Sequence, residues 1–161
     1  MVAEVRAHWK NYLLQSALAA LTLLIALLVL KLQHGLMSAE GVVIVASMGS
    51  TAFIVFVMPR AWSAHARNVV GGHLFGLVCG TLGSLAAVPM GSYAIVAYSV
   101  VVGLSIFLMV VTDTEHPPAA GTALGVAISG VSWKVALAVV TGAVVLALAH
   151  RVLGRRLRDL T

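Results

Sequence analysis

Residues 91–111 read GSYAIVAYSVVVGLSIFLMVV, a stretch of 21 residues without a charged side chain. A helix that crosses a bilayer needs about 20 predominantly apolar residues, because the hydrocarbon core is about 30 Å thick and each residue adds about 1.5 Å. The stretch meets that length and contains only small or weakly polar interruptions. It therefore predicts a transmembrane helix and sets the class of the protein.

The composition of the whole chain extends this prediction. Of the 161 residues, 61% are hydrophobic and 9% are charged, and the mean hydropathy is +1.06. Soluble domains carry about 25% charged residues, which cover their surface. Because that polar surface is missing here, the solvent around most of the chain must be lipid. The sequence predicts an all-α, polytopic membrane helix bundle that forms a single transmembrane domain over residues 1–161.

Other uncharged runs accompany residues 91–111. Three of them have the length of a membrane span, namely residues 13–30, 41–58 and 69–88. Residues 119–133 are too short for a full span. Residues 135–149 are marginal, although Lys134 and Arg151 can extend their side chains from the ends of that run to the membrane surface.

Basic residues at the ends of these runs predict the topology. Arg6 and Lys10 precede the first run, and Arg60 and Arg67 lie between the second and the third. Four more follow the last run: Arg151, Arg155, Arg156 and Arg158. The positive-inside rule places both termini and the loop with Arg60 in the cytoplasm, with the chain in the cell inner (plasma) membrane. This topology needs an even number of crossings, which is six if residues 119–133 form a short fifth one.

The positions of the charged residues also indicate which partners the protein has. The net charge of +5 comes from residues that flank apolar runs, so it indicates contacts with membrane lipid headgroups, and no nucleic acid is predicted as a partner. Fifteen glycines are spread through the apolar stretches, where small residues let helices approach closely. Glycine-rich helices also offer interfaces between copies, so a homo-oligomer is predicted.

Two of the runs contain similar interruptions. Residues 46–53 read ASMGSTAF, and residues 116–124 read HPPAAGTAL. Each follows an uninterrupted apolar run and precedes a run that contains glycine. This order predicts broken or short helices in matching positions of a possible 3+3 inverted repeat, residues 13–88 and 92–150, with a transporter-like site at the interface of the repeats. The alternative is a chance similarity of a few small residues.

The stretch TDTEHPPAAGT, residues 112–122, is the most distinctive in the chain. Proline suits the first turn of a helix, and the residue before a proline avoids the helical region, so a helix begins at Pro117 or Pro118. The N–H groups of Ala119, Ala120 and Gly121 are then predicted to be unpaired donors that favour a small anion. The alternative is that the two prolines only form a corner between helices.

Ionisable residues stand beside this predicted helix start. Asp113, Glu115 and His116 lie at or near membrane depth, where such groups are costly and indicate a function. They would cost little if they lay among cytoplasmic headgroups instead. Two roles are open for His116: it donates to an anion or carries a proton, or it caps the last carbonyl groups of the preceding helix.

Three segments together resemble the HPP family of integral membrane proteins. His116, Pro117 and Pro118, followed by small residues, are similar to its signature. Residues 58–73, MPRAWSAHARNVVGGH, resemble the family segment that runs from a proline to Arg-Asn-x-x-Gly-Gly-His. Residues 49–52, GSTA, resemble its first small-residue motif. The departures are His65 and Ala66, where the family has Gln and Pro, and an extra alanine after the two prolines.

The resemblance implies transport, because family members in photosynthetic organisms are associated with nitrite uptake. Nitrite is small, planar and singly charged, which suits a site made of helix N-termini. By resemblance, two small-residue helix starts face each other at the pathway. The predicted substrate-binding residues are Gly49, Ser50, Thr51, Ala52, His116, Pro117, Pro118, Ala119, Ala120, Gly121 and Thr122.

Further residues are predicted to act in the pathway or in gating: Arg67, Asn68, His73, Asp113 and Glu115. Arg67 is a cytoplasmic anchor or attracts anions at the mouth, and Asn68 is a candidate N-cap. For His73, a buried hydrogen bond between helices is favoured over a pathway role.

Two other functions are open. One is a membrane metal-site enzyme that uses Asp113, Glu115, His116 and His73, although Glu115 and His116 are adjacent rather than helically spaced. The other is a non-catalytic scaffold subunit of a membrane complex. The favoured prediction is a carrier or channel for a small monovalent anion, which is not an enzyme and needs no metal or other cofactor.

Overall fold

The structure is a computed structural model, and it describes residues 2–34, 39–130 and 132–161. Within these ranges the chain forms helices and turns and no strand, which confirms the predicted all-α class. The helices are α1 (Val2–His34), α2 (Ala39–Val57), α3 (Ala66–Met90), α4 (Ala94–Val111), α5 (Pro117–Ser129) and α6 (Trp133–Leu153). Single 3-10 turns occupy Trp62–Ala64, Gly91–Tyr93 and Gly154–Arg156.

Several contacts bring helix ends together at one end of the bundle. The Tyr12 hydroxyl near the start of α1 donates to the carbonyl of Leu160, 3.1 Å away. His150 Nε2 near the end of α6 is 2.8 Å from the carbonyl of Pro59, just after α2. Arg67 at the start of α3 donates to the carbonyl just after α4, at Thr112. Successive helices therefore run in alternating directions.

We call this the basic end, because arginines from distant parts of the chain collect there. Arg60 pairs with Asp159 at 3.9 Å, and a groove beside this pair is lined by Arg60, Arg151 and Arg155. Arg60 is about 90 residues away from Arg151 and Arg155 in the sequence, yet the fold gathers all three at one end. The placement of this end in the cytoplasm stays a prediction.

Three described helical stretches are long and apolar enough to cross a membrane: His8–Leu28, Ala66–Val111 and Trp133–Arg156. The second contains both α3 and α4, with the turn at Gly91–Tyr93 between them. Large apolar side chains such as Val88 and Ile95 point outward, as they do in a protein surrounded by lipid. The chain is a membrane protein. Helix α5 is only about 20 Å long, so the count of six crossings stays a prediction.

The packing pairs of helices show a regular pattern. Helix α3 packs against α4, α5 and α6, while α2 packs against α1, α5 and α6. The α1–α6 and α4–α5 pairs are also in contact. Exchanging α1 with α4, α2 with α5, and α3 with α6 turns each of these contacts into a contact of the same set, and the α3–α6 and α2–α5 contacts are turned into themselves. The exchanged helices also run in opposite directions. The predicted 3+3 inverted repeat would give this pattern, and the repeat stays a prediction.

Glycines allow α3 to lie directly against α5. A Cβ atom added at Gly72 would lie 2.7 Å from the Cβ of His116, and one at Gly76 would overlap the carbonyl of Ala119. In α6, a Cβ atom at Gly142 would lie 2.7 Å from the sulfur of Met48 in α2. The prediction that small residues permit close helix approach is confirmed at these crossings.

Helix α2 differs from the sequence prediction. It is continuous from Ala39 to Val57, so residues 49–52 lie inside a helix rather than at a helix start. Glycine costs only about 1 kcal/mol inside a helix, and no proline interrupts this one. The Thr51 hydroxyl oxygen also lies 3.0 Å from the carbonyl of Ser47 one turn earlier, within reach of a hydrogen bond. In contrast, α5 begins at Pro117 as predicted, and it is the short helix of the bundle.

Candidate functional site

A cluster of buried polar side chains lies where α2, α3 and the start of α5 meet. Its members are Ser47, Thr51, His73, His116 and Thr122, and each is at most 5% exposed. We call them the two-histidine cluster. Polar groups buried in a membrane protein must find partners inside the protein, because neither water nor lipid supplies them.

Local structure explains how three of the five members reach the cluster. Ser47 and Thr51 are four residues apart, so they share one face of α2. His116 is the N-cap of α5 and has an extended backbone, φ −142° and ψ 94°, as the following proline requires. This conformation sends the imidazole of His116 back into the bundle, over the bare backbone of Gly72.

Thr51 lies at the centre of the cluster. Its hydroxyl oxygen is 2.9 Å from Nε2 of His73 and 2.9 Å from Nε2 of His116. On the far side of His73, Nδ1 is 2.9 Å from the hydroxyl of Thr122, which is 2.7 Å from the hydroxyl of Ser47. The two imidazole centroids are 5.1 Å apart. The members therefore form one continuous hydrogen-bonded chain.

The carbonyl of Ser63 fixes the tautomer of His116. His116 Nδ1 lies 2.7 Å from this oxygen, which can only accept, so Nδ1 carries a proton. In the neutral ring Nε2 then accepts from the Thr51 hydroxyl. His116 lies in the connection between α4 and α5, outside the membrane-spanning helices. Burial lowers the pKa of His116 to about 4, against the opposing effect of its hydrogen bond to Ser63.

A groove runs beside the cluster, between α2 and α5. Its volume is about 770 Å³, and its outer wall includes the exposed side chains of Phe53 and Leu124. Ser47 lines the groove and also belongs to the cluster, so it joins the two. Five predicted substrate-binding residues line the groove: Gly49, Ser50, Pro117, Pro118 and Gly121.

The other predicted substrate-binding residues fall into separate places. Thr51, His116 and Thr122 belong to the cluster. Ala52 lines a different cavity, on the side of α2 that faces α1. Ala119 is fully buried against Gly72 and Gly76 of α3. Ala120 lines a cavity of about 240 Å³ together with Glu115, His116 and Pro117.

The start of α5 offers fewer donors than predicted. The N–H of Ala119 donates to the carbonyl of His116 at 2.9 Å, so the prediction that it is unpaired is wrong. The cause is the extended N-cap, which turns the His116 carbonyl back over the first turn. The preceding residues are Pro117 and Pro118, which have no N–H. Side chains of the cluster, rather than a row of backbone donors, supply most of the polar character here.

Among the predicted pathway residues, Arg67 and Asp113 lie at the surface of the basic end. Arg67 Nη1 is 3.3 Å from the carboxylate of Asp113, and Nη2 donates to the carbonyl of Thr112 at 2.8 Å. Both side chains are more than half exposed. The pair fastens the connection after α4, where Asp113 adopts φ 58°, and it does not touch the cluster.

Asn68 is not an N-cap, because α3 begins at Ala66 with His65 in the capping position. The Asn68 side chain turns inward instead and is 1% exposed. With its oxygen facing its donors, it accepts from the indole N–H of Trp62 at 3.1 Å and from the backbone N–H of Glu115 at 3.3 Å. It thus holds the residue next to His116 in place.

The remaining predicted residues are His73, His116 and Glu115. His73 forms buried hydrogen bonds between helices, which confirms the favoured prediction. His116 bonds to Ser63 and Thr51, so the alternative in which it caps α4 is wrong. The Thr112 hydroxyl donates to that helix end instead. In the described parts of the chain, Glu115 Oε2 is buried without a hydrogen-bond partner.

Sequence reasoning missed Ser47, Ser63 and Trp62. Ser47 lies one helical turn before Thr51, and that i, i+4 spacing was a usable signal. Ser63 contributes only a backbone carbonyl, which leaves no trace in the sequence.

Across residues 2–34, 39–130 and 132–161, no three His, Cys, Asp or Glu side chains come together as a metal site would require. The metal-site alternative stays open.

Comparison with known proteins places the chain among membrane proteins. The family described as "HPP, transmembrane region" matches residues 5–159. A transmembrane protein of Dictyostelium discoideum is 36% identical over 100 residues, which cover 61% of this chain and 35% of that protein. A second one from the same organism is 32% identical over 102 residues, which cover 62% and 33%. The aligned part is about a third of the length of these relatives, and no solved structure matches.

Proposed function

This chain belongs to the HPP family of membrane proteins, and on that premise we propose that it moves a small monovalent anion, nitrite first, across a bilayer. The observation that carries the proposal is the two-histidine cluster. A bundle with 9% charged residues keeps five polar side chains buried at one meeting point of three helices. Polar groups inside a membrane protein are costly, and they usually serve a substrate or ion pathway.

The groove and the cluster together have the features of an anion path. An anion entering between α2 and α5 meets small residues first, since a Cβ atom at Gly49 would contact nothing within 4 Å. It then meets the Ser47 hydroxyl, behind which lie the hydroxyls of Thr122 and Thr51. Each hydroxyl can exchange an internal hydrogen bond for a charge-assisted bond to the anion, which is shorter and stronger. Nitrite is small and planar enough to accept two such bonds.

The basic end supports the approach of the anion. Arg60, Arg151 and Arg155 line one groove there, and Arg67 lies near the start of α3. A cluster of like charges raises the local concentration of oppositely charged solutes. We place this end in the cytoplasm and the chain in the inner (plasma) membrane by the positive-inside rule. We also propose that copies of the chain form a homo-oligomer and that membrane lipid covers the apolar surface that this assembly leaves exposed.

The test is anion flux into liposomes that hold only the purified protein. Ser47→Ala removes the hydroxyl shared by groove and cluster. Ser105→Ala removes a buried hydroxyl whose one hydrogen bond within the described residues is to Val102 of the same helix, α4. We expect nitrite to enter faster than into empty liposomes, with Ser47→Ala slower and Ser105→Ala unchanged. Nitrate, formate and chloride are compared in the same assay.

The same assay separates the alternatives. Flux from the purified protein alone contradicts a function limited to scaffolding. If folded protein moves none of the four anions at any pH or membrane potential, the transport proposal is wrong. A metal-site enzyme would then be tested by metal analysis of the purified protein, and a scaffold by isolation of its membrane complex.

A further inference from the structure

We propose that the two-histidine cluster binds one exchangeable proton that crosses with the anion, and that the Thr51 hydroxyl passes this proton between His73 and His116. This inference rests on the proposed function, because it states how transport is coupled. Two observations carry it: the unbroken chain of polar atoms, and the number of protons that this chain can hold.

With both rings neutral, every link of the chain holds one proton. Ser47 donates to Thr122, Thr122 to His73 Nδ1, His73 Nε2 to Thr51, Thr51 to His116 Nε2, and His116 Nδ1 to the Ser63 carbonyl. In this arrangement the single hydroxyl protons of Thr51 and Ser47 follow the chain instead of the nearby carbonyls of Ser47 and Pro118, which are 3.0 and 2.7 Å from those hydroxyls. All donors point toward Ser63. With both rings neutral and every link occupied, the direction follows from that end, where a carbonyl oxygen can only accept.

The other end of the chain can accept one more proton. When His73 gains a proton at Nδ1, that nitrogen donates to Thr122, and Thr122 turns its own proton to the Ser47 oxygen. Ser47 then turns its proton to the carbonyl of Pro118, which is 2.7 Å away. No two donors face each other, so the singly protonated cluster is as fully hydrogen-bonded as the neutral one.

Thr51 lets this charge move between the rings. The N–H bond at His73 Nε2 breaks and its proton joins the Thr51 oxygen, while the Thr51 O–H bond breaks and that proton joins His116 Nε2. His73 ends neutral and His116 ends charged. Both transfers follow existing 2.9 Å contacts, so no side chain has to rotate. No other reactant takes part.

A second proton is not expected to bind. Two charged imidazoles with centroids 5.1 Å apart would repel each other inside a poorly screened interior. The two-histidine cluster therefore accepts one added proton and not two. This limit predicts that one proton crosses with each anion.

The surroundings leave the anion as the counter-charge. Helices α2 and α5 present hydroxyls to the rings rather than carboxylates. Glu115 lies beside His116 in sequence and lines the same cavity, but within the described residues neither of its oxygens is hydrogen-bonded to a ring. The other ionisable groups nearby face the basic end, where Arg67 pairs with Asp113 and His65 contacts His150. A proton and an anion in the cluster neutralise each other, so each favours the binding of the other.

The experiment measures nitrite uptake and internal pH together in proteoliposomes, with empty liposomes subtracted to remove leakage of nitrous acid. Potassium and valinomycin set the membrane potential independently of the pH gradient. We expect an inward proton gradient to drive uptake, one proton to enter with each nitrite, and the potential to have no effect. Thr51→Val should lower proton-driven uptake by about tenfold or more, whereas Thr51→Ser keeps the hydroxyl and the coupling.

Thr81→Val is the matched control, since among the residues that the structure describes the Thr81 hydroxyl bonds only to the carbonyl of Leu77 in the same helix, α3. Nitrite flux that follows the potential and brings no protons overturns this inference and leaves the proposed function standing. No protein-dependent nitrite flux overturns both. Normal coupling in a folded Thr51→Val protein removes Thr51 from the relay. If the Thr51→Val protein does not fold, the proton-to-nitrite ratio of the unmodified protein decides whether transport is coupled to protons. Thr51→Ser then tests the relay, because it keeps the hydroxyl. Loss of coupling in a folded Thr51→Ser protein overturns the relay through Thr51.

Discussion

Gly72 of α3 lies directly against His116, so closely that a Cβ atom at position 72 would be 2.7 Å from the Cβ of His116. His116 cannot move away easily, because its extended backbone is set by the proline that follows and its ring is hydrogen-bonded on both sides. The absence of a side chain on α3 is therefore what admits the imidazole to the cluster.

Gly72→Ala should displace His116 and weaken both the fold and the transport. Overpacking a well-filled interior costs about 1–3 kcal/mol. The matched control is Gly103→Ala in α4, where an added Cβ atom contacts nothing within 4 Å. We expect a lower melting temperature and slower nitrite uptake only for Gly72→Ala, measured in detergent and in liposomes. Equal melting temperatures for the two variants would contradict the role given to this contact.

Thr122→Val should destabilise the protein more than Thr81→Val. The Thr122 hydroxyl bonds to two buried side chains, Ser47 and His73, whereas the Thr81 hydroxyl bonds only to a carbonyl of its own helix. Leaving a buried polar partner unsatisfied costs about 1–3 kcal/mol. Reversible unfolding of both variants in one detergent would show the difference, and a similar loss for both would mean that the cluster does not stabilise the bundle.

Arg67→Gln should change stability little. Its ion pair with Asp113 is more than half exposed on both sides, and exposed pairs contribute about 1 kcal/mol or less. We expect a small fall in melting temperature and a fall in nitrite uptake that is larger at low salt, where charge steering is strongest. Uptake is measured at two ionic strengths, with Asp113→Asn as the comparison. A large loss of stability would show that Arg67 has a structural role beyond this pair.

Acid should destabilise the protein through His116. Burial lowers the pKa of His116 to about 4, below its ordinary value of 6.5, so between these values the unfolded chain binds more protons than the folded one. The stability that His116 contributes is full above about pH 6.5 and is lost as the pH falls toward about 4. Melting temperatures at pH 7.5 and 5 should therefore differ more in the unmodified protein than in His116→Asn. Nitrite added at pH 5 should restore part of the loss, and a pH response that is identical in the variant would contradict this account.

The sequence was sufficient for several properties that depend on neighbouring residues. The length and apolarity of residues 91–111 predict a membrane helix, Pro117 predicts the start of α5, and the HPP-like motifs predict the family. The predicted break in α2 was wrong, because a helix that packs on its neighbours tolerates Gly49 without a proline.

The tertiary structure decided which polar side chains meet. Thr51, His73 and Thr122 come from three helices, and their contact depends on how each helix is rotated about its axis and how closely the helices approach. Apolar periodicity is weak in a chain that is hydrophobic on most faces, so the sequence does not specify those rotations. The glycines of α3 set the approach, but only the packed bundle shows that they bring Thr51 between two histidines.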